Sequence, residues 1–142
     1  MSDRKLAIEA WESLFRAQHE IFIEMSADFD GAGLSAAEYD VLLTVTRCGD
    51  RTVRLRELTA NMLISQPSVS RLVDRMVGRG LLTKGVDPTD GRGAVIHATD
   101  DGVRKFRQLA TVHGRTIAEK MAPLTEEEQR TLRALTRKLR SR

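Results

Sequence analysis

Residues 56–80 read RELTANMLISQPSVSRLVDRMVGRG. The spacing predicts a short helix over Arg56–Met62, a tight turn, and a longer helix that starts after Ser65 and ends near Arg79-Gly80. Ser65 is suited to cap that helix, and Pro67 falls in its first turn, where a missing N–H costs little. Val69, Leu72, Val73 and Met76 follow i, i+3, i+4, i+7 and define a core-facing stripe. The opposite face carries Ser68, Arg71, Asp74 and Arg75, with Ser70 beside it.

A short helix, a turn, and a second helix whose N-terminal half is small and polar make a helix-turn-helix. Small residues let such a helix end sink into the DNA major groove. Ser65, Gln66, Ser68 and Ser70 are then placed to hydrogen-bond bases or phosphates, and Arg71 and Arg75 to do either. Asp74 would repel phosphate, so it is expected to pair with a neighbouring arginine or to orient one. The next stretch, VDPTDGRGAVIHA (residues 86–98), completes a hairpin with arms Leu81–Asp87 and Gly93–Ala98. A hairpin directly after a recognition helix reads as a wing. Arg92 is expected at its tip, between Gly91 and Gly93, reaching a narrow minor groove where the negative potential is deepest. The glycines are expected to allow the turn geometry, and Asp90 to brace the loop through its backbone or through Arg92.

The rest of the chain frames this unit. A long first helix is expected over residues 4–29, apolar on more than one side (Leu6, Trp11, Leu14, Phe15, Ile21, Phe22, Ile23), which in so short a chain points to a second copy. Asp30-Gly-Ala-Gly33 breaks it. Ser35 and Glu38 form a capping box for a second helix running to about Arg47, with Gly49 as its C-terminal cap. Thr52–Arg54 reads as a short strand. A fifth helix follows from Thr99 to about Met121, with His113 and Ile117 on its apolar face. Thr125 and Glu128 form a second capping box, opening a helix with Leu132, Leu135 and Leu139 at 3-then-4 spacing, the seam of helix-to-helix docking.

The 142 residues carry a net charge of only +3, unevenly spread. Residues 1–46 hold 3 Lys/Arg against 9 Asp/Glu, residues 47–92 hold 9 against 5, and residues 93–142 hold 11 against 6. The basic remainder suits an anionic partner. With one cysteine, Cys48, no intrachain disulfide is possible, and a cytoplasmic setting is expected. No window approaches ~18 consecutive apolar residues, so no membrane partner is expected.

These residues resemble the MarR family of bacterial winged-helix regulators over nearly the whole chain. SVSRLVDRMVGRGLLTK resembles the family's recognition helix and first wing strand. DPTDGRGAVIHATDDG resembles its Asp-x-Arg wing and Thr-x-x-Gly helix start, and SAAEYDVLLTV its second helix. Arg56 stands where the family commonly has a small capping residue, and Ala98 replaces a common Leu. The resemblance implies a mainly α fold with a small β-hairpin wing, a winged helix-turn-helix domain flanked by long dimerisation helices. Residues 1–142 would form one domain, with 35–98 as the DNA-binding lobe and 1–34 and 99–142 as dimerisation helices. It further implies a homodimer, joined through Leu6, Ile117, Met121, Leu132, Leu135 and Leu139. That dimer would bind a pseudo-palindromic double-stranded operator, usually as a repressor. A pocket with Trp11 and Phe15 as walls and Arg16 or His19 meeting an anion would take a small aromatic or phenolic effector. Ordinary packing is the competing reading of Trp11.

Other classes fit less well. There is no Gly-rich phosphate loop, nucleophile elbow or metal spacing, and His19, His97 and His113 fall on separate elements. No enzyme, cofactor or metal is expected, and Cys48 reads as structural. The remaining alternative is a winged-helix protein-interaction module without specific DNA binding. Arg71, Arg75 and Arg92 together argue against it.

Overall fold

A computed structural model of the chain describes residues 2–63 and 68–140. In chain order the described elements are α1 (Ser2–Met25) with a 3-10 turn (Ser26–Phe29), α2 (Ala36–Thr46), a second 3-10 turn (Gly49–Arg51), β1 (Thr52–Arg54), α3 (Leu55–Asn61), α4 (Val69–Gly78), β2 (Leu82–Asp87), β3 (Asp90–Ala98), α5 (Asp100–Met121) and α6 (Glu126–Arg140). The mainly helical architecture with a hairpin wing agrees with the sequence reading. None of the described helices is long and apolar enough to cross a membrane.

Contacts divide the chain into two compact units, Asp28–Thr111 and, together, Met1–Ala27 with Val112–Arg142. The first holds the core. Leu42, Val45, Leu58, Val73, Met76, Leu81, Leu82 and Ile96 are fully or almost fully buried there. The sheet is antiparallel in the order β1-β3-β2, with Thr52 opposite His97 and Arg54 opposite Val95, while Leu82 pairs with Ala98. Ala98, small where a larger residue would fit the resemblance, is itself completely buried. Phe29, Tyr39 and Phe106 pack ring to ring beside this core, centroids 5.1–5.5 Å apart. Burial pushes the Tyr39 hydroxyl above its ordinary pKa, against a smaller opposing effect of Arg47.

Local signals explain several element ends. Ser35 and Glu38 make both halves of the expected capping box (3.1 and 2.8 Å), and Thr125 and Glu128 repeat it at α6 (3.1 and 2.9 Å). Gly31 and Gly33 carry positive φ where the chain leaves the first 3-10 turn. Gly49 does not cap α2. Arg47 ends that helix in right-handed geometry, and the left-handed backbone falls instead on Asp50 and Arg51. Arg51 is held there by an ion pair to Asp100 (3.1 Å).

In the other unit Gln129 Nε2 donates to the Met121 and Leu124 carbonyls, and Lys120 pairs with Glu24. His113 is buried, while Leu6, Trp11, Phe15, Ile23, Leu135 and Leu139 are exposed.

Candidate nucleic-acid interface

The recognition helix is placed by both of its ends. Ser68 caps α4: its Oγ accepts from the Arg71 N–H at 3.2 Å. A cap oxygen must precede the first helical residue and reach the third, and Ser68 has that spacing to Val69 and Arg71. The Ser65, Gln66 and Pro67 readings lie outside the described residues. At the other end Gly80 takes φ +76°, and the Gly80 and Leu81 N–H groups return to Val77 and Met76 (both 3.0 Å). This is a Schellman closure, which needs a left-handed residue at Gly80. Arg79 then reaches the Glu38 carboxylate and the Gly33 carbonyl, tying the end of α4 to the start of α2.

Between these ends the stripe behaves as read. Val69, Leu72, Val73 and Met76 are buried; Ser70, Arg71, Asp74 and Arg75 are exposed. Asp74 pairs with Lys84 of β2 (3.0 Å) rather than with an arginine. Arg71 and Arg75 have no acidic partner among the described residues. The chain leaving α3 is tied to α2. Asp40, only 3% exposed in α2, accepts from the Leu63 N–H at 2.7 Å.

The wing differs from its reading in one important detail. β2 and β3 pair regularly from Leu82–Ala98 to Val86–Ala94, and then the next pair is Asp87–Asp90. The tip is therefore Pro88-Thr89. Gly91, Arg92 and Gly93 bulge out of β3 on its flank, with Arg92 exposed at the middle. Neither glycine has positive φ. Gly93 lies close to Asp87, where a Cβ would make a tight 3.3 Å contact with the Asp87 Cβ, whereas Gly91 faces open space. Asp90 braces the bulge as expected, its Oδ1 accepting from the Arg92 N–H at 3.1 Å.

Beside the bulge runs an open groove of about 680 Å³, lined by Arg54, Arg56, Thr59, Lys84, Asp87 and Arg92 among others. The sequence alone does not single out Arg54, Lys84, Asp40 or Asp87 as site residues, and it marks Arg56 only as a departure from a small capping residue. Asp87 is 4% exposed and collects donors: Arg54 Nε at 2.9 Å, the Thr89 N–H at 2.9 Å and the Thr89 hydroxyl at 2.7 Å. The Thr89 hydrogen bonds, with help from the Arg54 charge and the Asp90 N–H, hold its carboxyl below the ordinary range although burial pushes it up. The only sequence signal for such a role was an acid directly before the turn Pro88-Thr89.

The remaining candidates lie on the helices of the other unit. Trp11, Phe15 and His19 form one column along α1, ring centroids 5.8 and 6.1 Å apart, and the second pair is stacked. With Glu12, Arg16 and Glu20 they line a hollow of about 250 Å³ made wholly of α1 residues. Leu6 and Ile117 are exposed, as are Leu135 and Leu139, while Met121 and Leu132 are half-buried. Cys48 is half-buried, its thiol donating to the Thr44 carbonyl at 3.3 Å.

Residues 32–93 match the model of the MarR family. The chain is 28% identical over 115 residues to the HTH-type transcriptional regulator MhqR of Bacillus subtilis (strain 168), covering 81% of this chain and 78% of that protein. It is 27% identical over 139 residues to the HTH-type transcriptional repressor MdtR of the same organism, covering 98% and 84%. Among solved structures, a MarR family transcriptional regulator from Streptomyces coelicolor in complex with DNA superposes with TM-score 0.81 at 23% identity, covering 98% of this chain and 86% of that one. A mutant MarR from E. coli complexed with operator DNA gives TM-score 0.78 at 22% identity, covering 94% of each. At these identities the solved structures speak for a shared fold.

Proposed function

We propose that the chain is a DNA-binding transcriptional regulator of the MarR family that works as a homodimeric, ligand-responsive repressor on a pseudo-palindromic operator, a reading supported by the family-model match and the regulators it resembles. Residues 35–98 are the DNA-binding lobe, and residues 1–34 and 99–142 are the dimerisation helices. α4 lies in the major groove, with Ser70, Arg71 and Arg75 meeting bases and phosphates and Ser68 holding the helix end that faces phosphate. Ser65 and Gln66, which lie outside the described residues, are assigned to DNA contact from the sequence alone. Arg92 enters the adjacent minor groove. Two-fold symmetry sets the recognition helices about one turn of DNA, ~10 bp, apart. The observation that carries this reading is the trio Arg71, Arg75 and Arg92. All three are exposed, and none is neutralised by an acid among the described residues, on a helix and a wing of one compact unit.

An effector of small aromatic or phenolic anionic type meets Trp11, Phe15, Arg16 and His19. It switches the protein only by binding the DNA-competent and incompetent conformers unequally.

The test is a salt titration of binding to the DNA upstream of the protein's own gene, with Arg92→Ala beside the wild type. Phosphate contacts release counterions, so log K falls with log salt by roughly 0.9 per phosphate neutralised. Tight binding that competitor DNA does not displace, with that steep slope and a weaker mutant, supports the reading. Unchanged affinity in Arg92→Ala removes the wing from it. Weak binding equal to that of competitor, there and to any duplex selected from random DNA, removes specific recognition altogether.

A further inference from the structure

The third strand supports only the base of the wing. β1 pairs with β3 as far as Arg54 opposite Val95 and goes no further. From Ala94 to the tip the wing is a two-stranded ribbon, and a lone hairpin of that size is marginal in water. Its last paired residues also flank a three-residue bulge. Something other than the ladder must hold Arg92 in place.

We propose that Arg54, Asp87 and Thr89 form a clamp that sets the shape of the wing and so act as positioning residues for Arg92, an inference that rests on the DNA-binding reading above. The three side chains close a triangle. Arg54 Nε meets Asp87 Oδ2 at 2.9 Å, Arg54 Nη2 donates to Thr89 Oγ1 at 2.9 Å, and Thr89 Oγ1 donates to Asp87 Oδ1 at 2.7 Å. Each polar atom has a compatible role: the guanidinium only donates, the carboxylate only accepts, and the hydroxyl does one of each. Arg54 is the last residue of β1 and stands at the N-terminal boundary of α3. The triangle therefore fastens the wing tip to the helix-turn-helix itself. A second tie, Lys84 to Asp74, joins the middle of β2 to α4.

The clamp reaches Arg92 through packing. A Cβ built on Gly93 would stand 3.3 Å from the Asp87 Cβ, so the bulge packs directly against Asp87. Moving Asp87 moves the bulge, and Arg92 is the bulge's central residue. A buried carboxylate that needs three donors is a costly way merely to end a strand. It also sets a negative charge beside a DNA-binding surface. That charge gives the inference a sign that simple electrostatics does not share.

The experiment uses the full chain and a duplex that the wild type selects from a random pool. Asp87→Asn removes a negative charge, so electrostatics alone predicts equal or tighter binding. The clamp instead predicts binding weaker by roughly tenfold, within the range by which members of one network couple. In an Arg92→Ala background the same change should cost less than about twofold, because its effect passes through Arg92. Thermal unfolding is followed on the same samples. If Asp87→Asn does not fold, Thr89→Val replaces it in the cycle, since that variant keeps the Arg54–Asp87 pair. Binding undiminished in the single variant, or a loss undiminished in the Arg92→Ala background, overturns the clamp alone. A wild type that selects no duplex overturns the DNA-binding reading and the purpose of the clamp together.

Discussion

Gly102 lies in the first turn of α5, against Leu81 in the turn that follows α4. A Cβ on it would stand 2.2 Å from the Leu81 carbonyl oxygen, so backbone meets backbone there. Thr99 fixes that approach: its hydroxyl donates to the Gly80 carbonyl at 2.7 Å, and its Oγ1 accepts from the Gly102 N–H at 3.0 Å. Gly102→Ala is expected to lose about 1–3 kcal/mol or more, the cost of overpacking a site that cannot yield. Gly78→Ala, with open space around it in α4, should be neutral or slightly stabilising, because alanine is the better helix former by up to about 1 kcal/mol. Chemical denaturation of the two variants checks the contrast. Asp87 supplies a second prediction at this scale. Its folded pKa lies below its unfolded one, so its contribution is complete above the ordinary carboxylate range and is withdrawn as pH falls through the folded value. Asp87→Asn should therefore be less stable than wild type near neutral pH and converge on it in acid. Melting curves collected down a pH series would show parallel lines instead if the carboxylate's charge were irrelevant.

At the scale of elements, the recognition helix separates stability from contact. Ser68→Ala removes the cap and should cost about 1 kcal/mol of stability. Ser70→Ala, on an exposed helical position, should leave the melting point nearly unchanged and show its effect in DNA affinity. Equal melting losses for the two would mean that α4 is not held by its N-cap. The same helix shows what a sequence reveals and what it hides. The stripe Val69–Met76, the two capping boxes and the short strand β1 were legible because each depends on residues within a few positions of one another. The start of α4 at Val69 was not legible because several serines here have cap chemistry, and the extended backbone of Ser68 is what makes it the cap. The wing was legible as a hairpin, yet its tip was assigned to Arg92 rather than Pro88-Thr89. Gly-Arg-Gly has the composition of a turn, and the register that turns it into a bulge comes from the pairing of β2 with β3. The triangle of Arg54, Asp87 and Thr89 was invisible for the same reason. Its members are up to 35 residues apart, and no local pattern links them.

For the molecule as a whole, the decisive fact is apolar surface left uncovered. Outside the Asp28–Thr111 unit, Leu6 is 65% exposed, Trp11 62%, Leu135 56% and Leu139 57%. Exposed apolar patches of that kind are the surfaces through which chains associate. In the homodimer proposed above, a second copy covers this surface. α6 adds a narrow leucine seam between an acidic start and a basic end. Replacing Leu135 and Leu139 together by aspartate tests this. Each buried leucine contributes roughly 1.5–3 kcal/mol. A two-fold interface counts every change twice, and buried aspartates add an uncompensated charge. The sum is enough to turn a stable dimer into monomers at micromolar concentration, which light scattering would show as a halved mass. Thermal unfolding of the Asp28–Thr111 core should persist, since neither leucine belongs to it. DNA binding should fall with the dimer, and its salt slope should drop to about half, because a monomer neutralises the phosphates of one half-site only. A variant that remains dimeric would move the interface off the α6 seam, leaving α1 with Leu6 and the end of α5 with Ile117 as the surfaces that join the two copies.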